Sequence, residues 1–388
     1  ESEQICCDSE DYEYWSDELI RVRVPDGALT GSIFVETEKG ESNNYPFELQ
    51  SAVGKKNFLE KRTFVLETSI ELREIVTDND GLIFLRVPKP LVFASQPSVE
   101  LSSCSRQPSI EELAGTIVHQ LDGAEINASI ETSKTAEQLP TANINIDHTF
   151  VVSTYAVSTD IKETLVKPYS QKVLLSKAHQ LAMASYSELV PGLSTDEKLV
   201  SLAKSIIGKY TNPYTKARLI YNYMINNFSV LPELRSPDAP ITDLLETKKG
   251  DAYDFAMLYN GLLLACNVIA RPCAGIIVDA NSSVQPHWWC EFYVESFGWV
   301  PVDVSLGAGL PFERFAKTSN VKEFYFGNLD AQHVTFSRDF NKLRPTIAYS
   351  KIVHQPKTYA LQSIWEESSE KVTRYSSFWT MPNVVGVY

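Results

Sequence analysis

The chain has 388 residues, 44% hydrophobic and 22% charged, with a formal net charge of −14. That length exceeds one typical domain, and its 18 Tyr and 18 Phe supply bulky side chains for a core that needs no metal or disulfide. An acidic balance without a Lys/Arg stripe disfavours nucleic acid and anionic membranes as partners, and no apolar run of about 18 residues exists to span a bilayer.

Residues 1–27 read as an acidic tail. It opens Glu1-Ser2-Glu3-Gln4, not with a basic and then apolar signal, so the chain is either cytosolic or trimmed of its signal. Cys6 and Cys7 in this tail fit a tether, a disulfide partner or neither. Residues 28–165 form a β-rich domain. Phe64, Leu66, Ile70 and Leu72 share one face of a half-buried strand, and Gly81–Arg86 and Thr149–Tyr155 are further strands. Short strands with polar turns predict a sandwich. No chemical signature stands out in this part, including Cys104.

The pattern then turns helical, and residues 166–320 form a second unit. Ser194 and Glu197 read as a capping box before Leu199, Leu202, Ala203 and Ile206, with Gly208 ending the helix. Pro213 opens a second helix with Ala217, Ile220, Tyr221, Met224 and Phe228 on one face. A third begins near Ala252 and buries Phe255, Leu258, Tyr259, Leu262 and Leu263. Strands follow at Pro272–Val278, Trp288–Val294 and Trp299–Val302. Residues 321–388 return to β structure, extending the core or packing on the first domain. Cys266, Cys273 and Cys290 sit in apolar runs and read as buried free thiols.

Four blocks carry chemistry: Lys249-Gly-Asp-Ala-Tyr-Asp-Phe-Ala256, Ala265-Cys-Asn-Val-Ile-Ala-Arg-Pro272, His287-Trp-Trp289 and Gly298-Trp-Val-Pro-Val-Asp303. Their order and spacing resemble the transglutaminase-like superfamily, in particular bacterial members with a β-rich domain ahead of the core. The matching residues are Gly250, Asp254, Phe255, Ala256, Ala270, Arg271, His287, Trp289, Gly298, Trp299, Val300 and Asp303. The resemblance covers roughly residues 165–340 and implies an α+β fold: an N-terminal β-sandwich plus a papain-like core of helices on an antiparallel sheet. It also implies acyl transfer from an amide through a thioester.

The physics agrees with that chemistry. A helix N-terminus lowers a thiol's pKa and offers a free N–H to an oxyanion, so position 252 suits a nucleophile and its backbone amide suits an oxyanion donor. His287 would act as general base and then acid, and Asp303 would fix its tautomer. Trp289, Trp288 and Tyr253 are candidates for the substrate pocket. The departure is Ala252, where the family carries Cys. A methyl group forms no thioacyl intermediate, and Tyr253, Asp251 and Cys266 are misplaced to substitute. The chain as written is therefore expected to be inactive. Ala252 reads as a Cys→Ala replacement in an otherwise intact site or as a natural loss, and the intact His287 and Asp303 favour the first. Asn267-Val-Ile269 departs from the family's Gly-Ile-Pro and is expected to alter that loop.

The substrate class implied is a protein or peptide, with water or an amine as acceptor: protease, amidase or cross-linker. The rival from another class is a non-catalytic module that binds peptide or glycan in the retained cleft. No cofactor is implied. His119, His148, His179, His333 and His354 show no HxH or HExxH spacing, so no metal is expected. The resemblance to exported bacterial proteins implies a periplasmic or cell-surface location, with the cytoplasm as the alternative.

Overall fold

The computed structural model describes residues 11–25, 28, 30–50, 53–129 and 141–388. Cys6 and Cys7 lie outside them. Five strands organise the first half: β1 (Gly54–Thr77), β2 (Leu82–Pro88), β3 (Ser98–Cys104), β4 (Thr116–Asp122) and β5 (Ala142–Ile161). β1 and β5 pair antiparallel along nearly their whole length, and β3 lies on the far side of β5. β2 and β4 belong to a second sheet. Each strand alternates, so the inward residues of the two sheets face one another. Phe64, Leu66, Ile70 and Leu72 of β1 meet Ile117 and Leu121 of β4 in one core, all at most 1% exposed. Each such side chain removed from water contributes about 1.5–3 kcal/mol.

Helices α1 (Lys177–Leu189), α2 (Glu197–Ile207), α3 (Pro213–Asn227) and α4 (Ala252–Ala265) follow. Asp196, not Ser194, caps α2, accepting from the Leu199 amide at 3.0 Å. The correction has a simple cause: residues 193–195 are already wound into a short 3-10 turn, which leaves Asp196 as the extended residue before the helix. Pro213 is the first residue of α3, capped by Asn212. α4 is buried on nearly every side, which its run of apolar residues requires.

Strands β6 (Ala270–Val278), β7 (Val284–Val294), β8 (Gly298–Val302) and β9 (His333–Arg338) form an antiparallel sheet in the order β8-β7-β6-β9. α4 packs on it through Cys290, whose thiol donates to the Ala256 carbonyl, and through Trp288, whose ring meets Tyr253 edge-on at 5.4 Å. This is the α+β arrangement of helices on an antiparallel sheet, behind a strand-rich N-terminal region. In the turn after α4, Asn267 takes the left-handed conformation, φ 58°, that Asn tolerates.

The end of the chain serves both halves. β9 joins the sheet of the second half. β10 (Glu366–Ser368) pairs with β2, while β11 (Val372–Trp379) and β12 (Asn383–Val387) pair with β1. The far end of the β1/β5 pair reaches the second half: Lys56 donates to the Trp299 carbonyl at 2.6 Å, and Thr159 Oγ1 to that of Gly327 at 2.8 Å. Tyr12–Trp15 and Ile20–Val22 form an exposed hairpin where an irregular tail was expected; its strands are too short to show a period.

Candidate active site

Ala252 is the first residue of α4 and is 5% exposed. Asp251 caps the helix: its Oδ1 accepts from the Asp254 amide at 2.9 Å, and Asp254 Oδ2 accepts from the Asp251 amide at 3.2 Å. These bonds leave the Ala252 amide aside, among the N–H groups that a helix start frees. Gly250 is required here, because a Cβ would stand 2.6 Å from Leu244 Cδ2 and 3.0 Å from Asp254 Cβ.

Two buried carboxylates at a helix tip need cations. Lys357 Nζ reaches Asp251 Oδ2 at 2.7 Å and Asp254 Oδ1 at 3.0 Å, and Arg235 Nη1 reaches Asp254 Oδ2 at 2.9 Å. Neither cation was legible as part of the site. Arg235 is in a loop, and Lys357 arrives from 106 residues away along the chain.

His287 lies on β7 and Asp303 just past β8, both fully buried. The β7/β8 register pairs Cys290 with Val302, so the next residues inward, Trp289 and Asp303, share a face with His287. His287 Nε2–H donates to Asp303 Oδ2 at 2.6 Å, which leaves the buried Nδ1 without a partner among the described residues. Asp303 has a second task. Its Oδ1 accepts from Ser305 Oγ at 2.8 Å and from the Leu306 amide at 2.9 Å, capping the short helix Val304–Gly307. Burial alone would raise its pKa, but the charge and hydrogen bond of His287, with a further bond from His333, hold it well below the usual carboxylate range.

His333, expected to be a scattered histidine, is part of this cluster. Nε2–H lies 3.2 Å from Asp303 Oδ2, and Nδ1–H donates to Asp330 Oδ1 at 2.9 Å. Burial disfavours its charge, yet Asp330 and Asp303 outweigh burial and lift its pKa to about 9. His287, Asp303 and His333 offer ligand atoms within 4.8 Å of one another. In this structure His333 bridges two carboxylates, Asp303 and Asp330.

Trp289 stacks on His287, with ring centroids 6.2 Å apart, and meets His333 edge-on at 5.1 Å. With Glu291, His333 and Asp330 it lines a cavity of about 30 Å³ against Lys56 and Tyr155 of the β1/β5 pair. Trp288 and Tyr253 lie elsewhere. They pack on each other on the α4 side of the sheet, because Trp288 is one residue out of phase with Trp289. Tyr253 and Trp288 are the chain neighbours of Ala252 and His287, so their contact sets the helix tip against β7. Arg271 donates to Glu291 at 2.9 Å and lies 3.9 Å over the Trp299 ring. Cys266 caps the opposite end of α4, and burial pushes its thiol up to about 11.

Helices packed on an antiparallel sheet are the arrangement that comparison with known proteins bears out. Residues 200–304 match the model of the transglutaminase-like superfamily. The chain carries a transglutaminase-like core. A Cytophaga hutchinsonii protein whose crystal structure is called "a Putative Cysteine Protease" superposes with a TM-score of 0.51 at 14% identity, over 86% of this chain and 92% of that one. That likeness is one of fold. The periplasmic domain of TgpA from Pseudomonas aeruginosa gives a TM-score of 0.32 at 12% identity, over 64% of this chain and 87% of that one. A Haemophilus influenzae protein of uncharacterised function is 28% identical over 224 residues, which make up 48% of this chain. The match spans only 59% of that relative's length. No helix among the described residues is long and apolar enough to cross a membrane.

Proposed function

We propose that this chain has the site of a thioacyl-forming amide enzyme with its nucleophile removed at Ala252. The observation that carries the reading is the 2.6 Å bond from His287 Nε2 to Asp303, which leaves Nδ1 as the nitrogen to receive a thiol proton. In the thiol-bearing form, His287 takes the proton and the thiolate at 252 attacks the amide carbon of a protein or peptide. The oxyanion meets the residue 252 amide. Collapse of the adduct expels the amine, which takes the proton back from His287, and water or a second amine then cleaves the thioester. Ala252 permits none of these covalent steps. Trp289, stacked on His287, would shield the site from water. Export belongs to the same proposal, from the resemblance to bacterial proteins with a β-rich domain ahead of the core, and cell fractionation tests it.

The test is A252C. Its thiol should react with iodoacetamide at neutral pH well ahead of the other cysteines, and it should deamidate, cleave or aminate a Gln-containing peptide. Amine incorporation identifies a cross-linker; cleavage or deamidation alone identifies a hydrolase. A thiol at 252 no more reactive than free cysteine sinks the reading.

A specific observation favours a second reading, the non-catalytic module. His287 and Asp303 are fully buried, and Lys357 seals the acidic helix tip with only 8% of its surface exposed. Under that reading the unaltered chain binds a peptide or glycan, A252C gains no activity, and titration calorimetry on the unaltered chain is the discriminating measurement.

A further inference from the structure

Three strands of the N-terminal sandwich each break their apolar alternation at the same level. β4 runs Ile117, His119, Leu121 on its inner face; β5 runs Ile146, His148, Phe150; β1 runs Leu66, Thr68, Ile70. The register sets His148 opposite Thr68 on one side and opposite Cys104 of β3 on the other. His119 comes across from the facing sheet, and its Nε2 stands 2.8 Å from that of His148. The two histidines are 0% and 1% exposed.

This group is unsatisfied as it stands. One Nε2 can donate to the other, but among the described residues neither Nδ1 has a partner, and the buried Thr68 Oγ1 has none either. Whichever ring donates through Nε2, the other carries its proton on Nδ1 with no acceptor. An orphaned buried polar group costs about 1–3 kcal/mol, and a core position here would be filled more favourably by Leu or Val. Cys104 is half-buried, its thiol donating to the Arg106 carbonyl at 2.8 Å. One ligand atom from each of Cys104, His119 and His148 lies within 4.8 Å of the other two.

We propose that Cys104, His119 and His148 form a binding site for zinc(II), separate from the transglutaminase-like site. The donor set is one thiolate and two imidazoles, which suits zinc with its fourth position left open beside Thr68. Zinc displaces the Cys104 thiol proton. The proton balance follows: each neutral imidazole keeps its one proton on the nitrogen that does not ligate, and the Cys104 proton leaves. Binding therefore releases one proton per ion.

The test uses the full chain with Cys6→Ser and Cys7→Ser, stripped by a chelator and titrated with Co²⁺ and then Zn²⁺. One cobalt should bind with a thiolate-to-cobalt charge-transfer band that zinc bleaches. Calorimetry in two buffers should show one proton released, and zinc should raise Tm by several degrees. C104S should lose the band and bind at least tenfold more weakly. H119L/H148L should lose binding while remaining folded, since it replaces orphaned polar rings with apolar side chains. No cobalt binding, or a thiolate-free spectrum that C104S leaves unchanged, as binding at His287, Asp303 and His333 would give, overturns the proposal.

Discussion

His333 Nε2 stands 3.2 Å from Asp303 Oδ2, the oxygen that His287 also occupies. A single carboxylate oxygen thus holds two imidazoles, and the second is itself anchored by Asp330. The folded-state pKa of His333 lies near 9, above its ordinary 6.5. A raised pKa means that the folded state holds the proton more tightly than the unfolded one. Its stabilisation is therefore complete below pH 6.5 and lost as pH rises through about 9. A shift of this size corresponds to on the order of 3 kcal/mol at full effect. Urea midpoints should fall between pH 6.5 and about 9, and H333Q should flatten that fall while lowering the midpoint at pH 6. An equal slope in H333Q would remove His333 as its source.

The core sheet, the central helix and the His287–Asp303 pair were legible because each is encoded locally. Alternation placed His287 and Trp289 on one face, and the short turn between β7 and β8 brought Asp303 beside them. Lys357, Arg235 and His333 were not legible. Each arrives from a loop or another strand, and a lone charged residue has no period to betray its partner. The same limit hid the contact of His119 with His148, which spans two sheets and has no spacing motif along the chain. Ser194 failed as a cap for a different reason: Asp196 competes for the same helix start and stands closer to it.

Lys357 should matter more for folding than a surface lysine. Its side chain is 4% exposed, and its ammonium is shared between Asp251 and Asp254, which would otherwise have Arg235 as their remaining cation. Removing one partner of a buried ion pair costs about 3–5 kcal/mol. K357M should lose that much in urea denaturation, and D251N should recover part of it in the double variant. Additive losses would mean that the pair is not coupled.

Gly275 ties the two histidine strands together. It pairs with His287 on β7 and with Thr335 on β9, and a Cβ there would stand 1.9 Å from the Val334 carbonyl oxygen. Backbone cannot yield as a side-chain tip can, so G275A should force β6 and β9 apart. The expected cost is about 3 kcal/mol or more. G309A is the control: Gly309 has a positive φ, 98°, and no atom within 4 Å of its added Cβ, so only backbone strain of about 1–2 kcal/mol applies. Thermal unfolding of the two variants should separate clash from strain. Equal losses would mean that β6 and β9 accommodate the methyl group.

Asp303 does two jobs, and substitution can separate them. Its Oδ1 caps the short helix after β8, and its Oδ2 receives the His287 proton. In D303N the amide oxygen can still cap the helix, but the NH₂ group that replaces Oδ2 donates, so it faces the Nε2–H of His287 donor to donor. The imidazole must then carry its proton on Nδ1, where a base needs a lone pair. In the A252C background, D303N should therefore slow thiol labelling and acyl transfer by about 10³–10⁴-fold, and because it also takes the Oδ2 acceptor from His333 its urea midpoint should fall. D303A should instead lose both functions and fall further in stability. The pH profile distinguishes orientation from mere packing. The residual rate of A252C/D303N should lose the acid-limb inflection of A252C and rise only with the thiolate fraction. If A252C/D303N keeps both its rate and the inflection, the His287–Asp303 bond does not set the tautomer, and the assignment of Nδ1 as the reacting nitrogen falls with it.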